Sequence, residues 1–447
     1  MTDLSRRDFI QTALLIPPSL SLSMLMNQRE KLKEKASIGV VGVGNRGHFL
    51  VDLLTQCSDV VIRAIADIKK EHAERTKSLC TQRQSFVPEI YTNGETDFEN
   101  LVKREDIDCV LCATSWEWHT PVAISSMKAG KLTAIEVPAG ITLKECWELI
   151  KTSNRYNQPC FMLENVCYFK EPLTILRMIR EGLFGEVVHA EGGYQHDCRY
   201  LLADETGTLN WRGKGLINRI GNTYPTHPIG PISQWLNINR GDRFVSLYSV
   251  STPPFGMHEY FVKKYGADHK LAKMNIKHGD INTTILQTAL GKTVTLYHDT
   301  TLPRPYDSIF RVQGTKGIYF GSLQKIYLED ISPQKDTWED FEPYTDKYAH
   351  PMWSAYESAG GSTAGHGLGD FITVRELVRA IRTGQTSLPD VYDSATWSAI
   401  IELSEQSASV GGKKIEFPDF TDGKWKTNSP IPIIQIPEQW LSVCNRK

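Results

Sequence analysis

The segment Gly42-Val43-Gly44-Asn45-Arg46-Gly47 constrains this chain more than any other part of its sequence. It follows an apolar run at residues 37–41 and precedes a stretch of helical periodicity that starts at Gly47. In a dinucleotide-binding βαβ unit the first glycine permits the tight turn and the second lets the backbone approach a pyrophosphate. The third lets helix and strand pack closely. The segment therefore predicts a Rossmann domain with Gly42, Gly44 and Gly47 at the phosphates.

Asp67 supports this interpretation and selects the cofactor. It follows the second predicted strand, residues 60–66, and lies 20 residues after Gly47 (67 − 47 = 20). An acidic residue at this point accepts hydrogen bonds from the ribose hydroxyls and disfavours a 2′-phosphate, so the sequence predicts NAD rather than NADP. Arg46 weakens that exclusion, because an arginine there could also meet a phosphate. A glycine-rich turn that binds nothing is the alternative.

The order of apolar segments predicts an α/β chain with two domains. Up to Asn165, apolar runs alternate with amphipathic stretches, as in a parallel sheet built from βαβ units. The predicted strands are 37–41, 60–66, 109–113, 132–136 and 160–163, and the predicted helices are 47–55, 70–80, 97–103, 120–129 and 143–154. We therefore expect an NAD-binding Rossmann domain over residues 36–165.

Residues 166–447 have a different pattern and predict an α+β domain with a large, mainly antiparallel open sheet. After a helix at 171–181, strand-like segments occur at 187–195, 244–250, 282–289, 293–299 and 308–314. Helices are expected at 369–383 and 394–409, and the proline-rich stretch 428–436 predicts an irregular strap. Aromatic and polar residues concentrate between Tyr194 and Tyr306, where we expect a substrate pocket.

Composition excludes some classes of partner and site. The 50 Lys and Arg residues against 52 Asp and Glu residues leave no charge excess that would favour nucleic acid as a partner. Of nine cysteines, only Cys109 and Cys112 have C-x-x-C spacing. They lie in an apolar run whose alternation places them on opposite faces of a strand, which favours buried thiols over a redox pair or metal site. No metal is predicted.

The N-terminus resembles a twin-arginine export signal. Arg6 and Arg7 precede a moderately apolar stretch, residues 13–26, that Pro17 and Pro18 interrupt. This stretch is too short for a comfortable membrane span, which favours a leader at residues 1–30 over a stable membrane anchor. We therefore expect export of the folded protein, to the periplasm for example. A chance Arg-Arg pair in a disordered terminus is the alternative, and a homo-oligomer is possible.

Two further motifs fall at the carboxyl edge of the predicted sheet, where cofactors bind. Trp116-Glu117-Trp118-His119 follows one strand, and Glu136 ends another. A lone histidine such as His119 at this place is more often a hydrogen-bonding residue at a helix start than a catalyst. Together with the glycine loop, these motifs resemble the glucose-fructose oxidoreductase and inositol dehydrogenase superfamily, in which a Glu-Lys-Pro lysine assists hydride transfer to or from a sugar hydroxyl.

The chain departs from that superfamily at two catalytic positions. Val137 stands where the Glu-Lys-Pro lysine would be, and Thr223 stands where a D-x-x-x-H motif ending at His227 would place the aspartate. Both departures weaken the case for a plain dehydrogenase.

A more specific resemblance rests on five motifs. They are Glu136-Val137-Pro138, Asn165, Asn210-Trp211-Arg212-Gly213, Tyr224-Pro225-Thr226-His227 and Arg304-Pro305-Tyr306. Together they resemble glycoside hydrolase family 109, the NAD-dependent retaining α-N-acetylgalactosaminidases. The resemblance implies NAD contacts at Asn45, Arg46, Asp67, Trp116, Glu117, Trp118, His119, Glu136, Val137 and Asn165. It implies a sugar site lined by Tyr194, Arg212, Tyr224, Pro225, Thr226, His227 and Tyr306.

The resemblance also implies a mechanism and a substrate, a glycan with terminal N-acetylgalactosamine. Tightly bound NAD oxidises C3 of the sugar, the aglycone leaves by elimination, water adds at C1, and C3 is reduced again. We expect His227, Tyr224 and Tyr306 to carry the proton transfers and Arg212 to hold the substrate. Tyr224 and His227 could instead form a packed turn. Two other functions stay open: an exported sugar oxidoreductase with net cofactor turnover, and a sugar-binding protein that contains NAD.

Overall fold

A six-stranded parallel sheet carries the glycine loop at its centre. The computed structural model describes residues 33–441, so the predicted leader lies outside the described residues. The strand order β3-β2-β1-β4-β5-β6 is that of a Rossmann domain. Its strands are β1 (Ala36–Val41), β2 (Val60–Ala66), β3 (Glu89–Tyr91), β4 (Cys109–Cys112), β5 (Leu132–Ile135) and β6 (Cys160–Met162). The predicted parallel sheet is confirmed.

Helices cover both faces of this sheet, which explains why its strands are nearly continuous apolar runs. They are α1 (Asn45–Thr55), α2 (Lys70–Arg83), α3 (Phe98–Val102), α4 (Trp116–Lys128) and α5 (Leu143–Tyr156). Helix α4 begins at Trp116 rather than at the predicted residue 120, so the whole Trp116–His119 motif forms its first turn. Strand β3 escaped prediction because it has only three residues, none of them buried.

The second half contains the predicted large sheet. Its order is β14-β13-β12-β11-β7-β10-β9-β8-β15, and only the β7–β10 pair is parallel. The strands are β7 (Val187–Gln195), β8 (Phe244–Ser251), β9 (Asn282–Thr288), β10 (Thr293–Asp299), β11 (Arg311–Gly314), β12 (Gly317–Phe320), β13 (Lys325–Leu328), β14 (Glu339–Asp340) and β15 (Ile415–Glu416). The prediction of a mainly antiparallel sheet is confirmed, and its short strands β12 to β15 were missed.

Nine further helices accompany this sheet in the described residues. They are α6 (Lys170–Arg180), α7 (Trp211–Asn218), α8 (Thr226–Leu236), α9 (Phe255–Tyr265), α10 (Glu342–Lys347), α11 (Pro351–Ser358), α12 (Leu368–Thr383), α13 (Val391–Ser409) and α14 (Glu438–Leu441). Helix α8 packs directly on β7, where a Cβ at Gly192 would lie 2.9 Å from Pro228. This close packing fixes the first turn of α8, which carries His227. Residues 428–437 form neither helix nor strand, as predicted for the strap.

Helices α12 and α13 return from the second half to the Rossmann sheet. Arg375 on α12 binds Asp59 through both terminal nitrogens, at 2.7 and 3.0 Å, and both side chains are buried. On α13, the Ser398 hydroxyl accepts a hydrogen bond from the backbone N–H of Ala139 at 3.1 Å. Within the described part of the chain, residues 35–441 thereby form one compact unit that contains both sheets.

The thiols of Cys109 and Cys112 are buried, as expected. Cys109 belongs to the main hydrophobic cluster and Cys112 to a second, smaller cluster, which places them on opposite faces of β4. Burial raises the pKa of Cys112 to about 11 and that of Cys109 well above its usual range. Within residues 33–441 there is no group of three metal-ligating side chains, and no helix there has the length and apolar character of a membrane span.

We predict that Asp59→Ala lowers the free energy of unfolding by about 3–5 kcal/mol, because it leaves the buried Arg375 guanidinium without its carboxylate. Urea denaturation measures this. Asp52→Ala is the matched control: it removes a partly exposed ion pair with Arg83 and should cost about 1 kcal/mol or less. Equal losses from the two substitutions would contradict the account of how α12 is attached.

Candidate active site

A cavity of about 720 Å³ lies between the carboxyl edge of the Rossmann sheet and the β7–α8 layer. The predicted residues that line it share this edge or face it from the second half. They are Gly42, Gly44, Asn45, Arg46, Asp67, Trp116, Glu117, Trp118, His119, Glu136, Val137, Asn165, Tyr194, Arg212, Tyr224 and His227. The fold thus gathers predicted cofactor and sugar residues into one space.

The glycine loop has room for a pyrophosphate. Gly42 has φ +83°, and a Cβ there would lie 2.8 Å from the Ala113 backbone. A Cβ at Gly47 would lie 1.9 Å from the carbonyl oxygen of Gly42, whereas a Cβ at Gly44 would meet no atom within 4 Å. Helix α1 begins next to Gly44 without a side-chain cap, so its N–H groups are open to an anion. Gly42 and Gly47 serve the turn and the packing, and Gly44 faces the open space of the cavity.

Asp67 lies at the end of β2, as the ribose-binding position requires. Its carboxylate accepts hydrogen bonds from the backbone N–H groups of Val43 and Lys69, both at 2.8 Å. The carboxylate thereby fixes the glycine loop to β2 and faces the cavity with a negative charge. The residues present fit NAD at this end of the cavity.

Arg46 is engaged by two carboxylates rather than positioned to bind a 2′-phosphate. Its Nε lies 2.8 Å from Glu136 and its Nη2 lies 2.9 Å from Asp370. Burial alone would lower the pKa of Arg46, but the two carboxylates raise it above its usual range. Nη1 of Arg46 is buried without a hydrogen-bond partner among the described residues, which leaves a donor for a bound ligand.

Asp370 connects three parts of the site. Beyond Arg46, it accepts a hydrogen bond from the Asn165 side chain at 2.7 Å and two bonds from His366, each at 3.0 Å. Burial alone would raise the pKa of Asp370, but the hydrogen bond from His366 and the charge of Arg46 hold it well below its usual range. Asn165 and Arg46 were predicted from sequence, and Asp370 was not.

Trp116 and His119, at the two ends of the first turn of α4, have different roles. Trp116 stacks on Tyr224 with 5.6 Å between ring centroids and so links the two halves of the cavity. His119 is buried, its Nδ1 lies 2.6 Å from the Pro138 carbonyl oxygen, and burial lowers its pKa. A neutral ring donates one hydrogen bond there and ties α4 to the turn after β5. This agrees with the alternative of a hydrogen-bonding residue at a helix start.

Aromatic rings line the side of the cavity where the sugar site is predicted. Tyr194 on β7 lies 4.7 Å from Tyr224 and 5.4 Å from His227 between ring centroids. Burial raises the pKa of Tyr194 and of Tyr224 well above the usual range, so both phenols stay protonated and can donate. Arg212 lies over Trp211 and Trp116, at 4.6 and 5.7 Å from the ring centroids. The cluster offers flat faces and hydrogen-bond donors, as a sugar requires.

His227 has a carboxylate partner that the sequence analysis missed. Its Nδ1 lies 2.7 Å from Oε1 of Glu164, which is fully buried. Since a carboxylate only accepts, Nδ1–H donates and Nε2 is left to exchange protons with a ligand. Thr223, at the position where a D-x-x-x-H motif would place an aspartate, is buried, and its hydroxyl lies 3.3 Å from His298. Glu164 lies two residues after the end of β6, at the carboxyl edge of the sheet. That position was the one feature of the sequence that could have marked Glu164 as a site residue.

Four predicted residues do not line the cavity. Pro225 and Thr226 are buried at the start of α8, and Gly47 lies inside α1. Tyr306 lies at the rim, 45% exposed, with its ring 6.1 Å from Tyr194. Its catalytic role stays a prediction. Conversely, His196, Leu201, Trp211 and His366 line the cavity and were not predicted.

Comparison with known proteins identifies the family. Residues 36–163 match the family model described as an oxidoreductase family with an NAD-binding Rossmann fold. Residues 168–427 match the model described as the glycosyl hydrolase 109 C-terminal domain. The chain belongs to glycoside hydrolase family 109. The resemblance drawn from the sequence is confirmed.

Two curated relatives show how far this similarity extends. A glycosyl hydrolase family 109 protein of Shewanella baltica (strain OS185) is 38% identical over 401 residues, which is 89% of this chain and 87% of the relative. A protein of Shewanella oneidensis named alpha-N-acetylgalactosaminidase is 38% identical over 405 residues, 90% of this chain and 88% of the relative.

Solved structures show the same fold. An NAD binding oxidoreductase from Klebsiella pneumoniae has a TM-score of 0.66 at 16% identity, covering 86% of this chain and 99% of its own. Levoglucosan dehydrogenase in complex with NADH has a TM-score of 0.64 at 19% identity, and the match covers 86% of this chain and 100% of the dehydrogenase chain. The protein is therefore a glycoside hydrolase built on an NAD-binding oxidoreductase fold.

We predict that Gly44→Ala weakens NAD binding at least about tenfold, equivalent to about 1.4 kcal/mol, because its methyl group enters the space for the pyrophosphate. Gly47→Ala is the contrasting variant, since its Cβ meets the Gly42 carbonyl and should lower the thermal midpoint instead. Calorimetric titration with NAD and thermal unfolding separate the two effects. Undiminished NAD affinity of Gly44→Ala would contradict the placement of the pyrophosphate.

Proposed function

We propose that the protein removes terminal α-linked N-acetylgalactosamine from glycans with retention of configuration. The family supports a glycosidase, and the named activity of the Shewanella oneidensis relative supports this substrate. The observation that carries the proposal is the single cavity in which the NAD-binding edge meets the Tyr194, Tyr224 and His227 cluster. A sugar held by that cluster lies next to the cofactor.

NAD, when bound, supplies reversible hydride transfer at C3 of the sugar, so it is regenerated in each turnover and need not leave. The 3-ketone makes the C2 proton acidic, and the chain must then provide a base for it. Nε2 of His227 is the candidate, since Glu164 holds Nδ1 protonated and stabilises the imidazolium that forms. Glu164 is a positioning residue in this account.

The phenols and Arg212 orient the sugar. Tyr194 and Tyr224 donate hydrogen bonds because their raised pKa values keep them neutral. Arg212 is held by its aromatic neighbours and by Asn210, which caps α7 by accepting from the backbone N–H groups of Arg212 and Gly213. We assign Tyr306 to the rim, where it can contact the part of the glycan nearest solvent.

An ordinary two-carboxylate glycosidase is disfavoured by the bonding of the nearby acids. That mechanism needs one carboxyl group as acid and a second as nucleophile or base at the scissile bond. Glu136 is bound to Arg46, and Glu164 is bound to His227. Both of these carboxylates therefore already serve a cation or an imidazole.

We also propose that the protein is exported in folded form through the twin-arginine pathway. The support is Arg6-Arg7 and the apolar stretch at 13–26. Folding before export would let the domain take up NAD before it leaves the cytosol.

We predict that the purified protein releases 4-nitrophenol from 4-nitrophenyl α-N-acetylgalactosaminide. This reaction should need no added NAD and should not accumulate NADH. In D₂O the released sugar should carry deuterium at C2, because the C2 proton is exchanged during elimination. Absorbance and proton NMR measure both. NADH in proportion to product would indicate the sugar oxidoreductase, and binding without any product would indicate the sugar-binding protein.

We predict that Glu164→Gln lowers kcat about 100-fold or more with little change in thermal midpoint, since the base loses its supporting charge but keeps its shape. The matched control is Glu191→Gln. Glu191 pairs with His189, and neither residue lines the cavity. This variant should keep full activity. Full activity of Glu164→Gln would refute the role of the pair in proton transfer.

A further inference from the structure

The aromatic cluster continues outward to a rim of uncharged side chains. Tyr194, whose ring contacts the interior of the cluster, also lies 6.2 Å from His196 and 6.1 Å from Tyr306 between ring centroids. The rings of His196 and Tyr306 lie 5.5 Å apart. A glycan whose terminal sugar is held by the cluster therefore carries its next sugar past His196 and Tyr306.

Exposure increases along this path. The His227 side chain is 13% exposed, whereas Leu201 and Tyr306 are 36% and 45% exposed. Leu201 lines the same cavity, and a partly exposed apolar side chain at this place gains free energy when a ligand covers it. The interior of the cavity can thus enclose one sugar, while the rim can contact a second.

His196 and Tyr306 bring hydrogen-bonding capacity to the rim. Burial lowers the pKa of His196, so the ring is neutral near pH 7 and offers one donor and one acceptor. Neither ring nitrogen of His196 is hydrogen-bonded to another described residue, although the side chain lines the cavity. Burial raises the pKa of Tyr306, whose hydroxyl group accepts from Ser308 at 3.0 Å and keeps its proton to donate. Sugar hydroxyl groups both donate and accept, so they match these two side chains.

The segment that carries His196 and Leu201 is attached to the large sheet at its start. The backbone N–H groups of His196 and Cys198 donate to the carbonyl oxygens of Asp299 and Thr300, at 2.8 and 3.0 Å. These bonds extend the contact between β7 and β10. Directly after Leu201, the chain enters a hydrophobic cluster separate from the main core, which includes Leu202, Met257 and Phe261. The segment is therefore fixed at both ends.

Polar contacts within the segment hold Leu201 in place and neutralise its charges. Arg199 binds Asp197 through two nitrogens, at 2.8 and 2.7 Å, and lies 5.0 Å from the centre of the Tyr260 ring on α9. The side chain of Asn210, which caps α7, donates to the carbonyl oxygen of Leu201. Since little order has to be gained on binding, a surface held in this way loses little affinity to entropy.

We propose that His196, Leu201 and Tyr306 form a second subsite, which binds the neutral sugar to which the terminal N-acetylgalactosamine is linked. This rests on the proposed function, because it concerns the aglycone of the same glycosidase. Leu201 covers an apolar face of the second ring, and His196 and Tyr306 bond its hydroxyl groups. Contacts to a part of the substrate that does not react still contribute to kcat/KM, since they hold the reacting sugar in position.

The test uses three substrates that share the terminal sugar. Methyl α-N-acetylgalactosaminide has no second ring, and the cyclohexyl glycoside has a second ring without hydroxyl groups. The third is a disaccharide, N-acetylgalactosamine α-linked to O3 of methyl β-galactoside. Because the three alcohols differ as leaving groups, kcat/KM of each variant is compared with that of wild type on the same substrate.

The two variants should differ in which substrates they affect. Leu201→Ala should lower kcat/KM about fivefold for the cyclohexyl glycoside and the disaccharide, because it removes apolar area that only a second ring covers. His196→Ala should lower kcat/KM about five- to tenfold for the disaccharide alone, because only its second ring has hydroxyl groups to bond. With the methyl glycoside both variants should stay within about twofold of wild type, which also shows that they are folded.

Leu290→Ala is the matched control. Leu290 is 63% exposed and does not line the cavity, so its removal should leave all three rates at the wild-type value. Losses in Leu201→Ala and His196→Ala that are equal for the three substrates, or absent from all of them, would overturn the subsite.

The methyl glycoside separates this inference from the proposed function. A wild-type protein that cleaves the methyl glycoside, but whose two variants show no dependence on the aglycone, would overturn the subsite and leave the proposed function intact. A wild-type protein that cleaves none of the three substrates and no 4-nitrophenyl glycoside would overturn the proposed function and, with it, the subsite.

Discussion

The site depends on the buried carboxylate of Asp370. It receives hydrogen bonds from Arg46 beside the cofactor loop, from Asn165 after β6, and from His366 on the second-half loop. A buried carboxylate is stable only if cations and hydrogen bonds replace its lost hydration, and this one is fully supplied. Asp370 lies on α12, and Arg375 of the same helix binds Asp59 of the Rossmann domain. The cavity is therefore connected to a helix that is itself anchored. The cofactor loop, the cavity wall and helix α12 are therefore held in fixed positions relative to one another.

This arrangement explains how an oxidoreductase fold can serve hydrolysis. Val137 and Thr223 stand at the two positions where the resemblance to the wider superfamily led us to look for a lysine and an aspartate. In their place, Glu164 supports His227, and a second supported imidazole faces the mouth of the cavity. A dehydrogenase needs one proton transfer at a hydroxyl group, whereas an elimination and addition sequence needs protons at C2 and at the aglycone oxygen. In the proposed elimination, the His227–Glu164 pair provides the base at C2.

Local patterns were sufficient for the fold and for much of the cofactor half. Gly42, Gly44, Asp67 and the strand-end motifs depend on backbone geometry that nearby residues determine, and the fold brings them to one cavity. Glu164 and Asp370 were not foreseen, because each works through a partner far away in the chain: 63 residues separate Glu164 from His227, and 324 separate Arg46 from Asp370. Pro225 and Thr226 were placed in the sugar site by their motif, but they pack into the start of α8 and do not line the cavity. Short strands such as β3 carry too few residues for a periodic signal.

The central claim is that the cofactor is reduced and reoxidised within each hydrolytic turnover. Stopped-flow absorbance of the reduced nicotinamide, recorded while aglycone release is followed in the same mixture, tests it most directly. The account predicts that the NADH signal rises to no more than one equivalent per site and disappears when substrate is exhausted. A signal that grows with every glycan cleaved would contradict it.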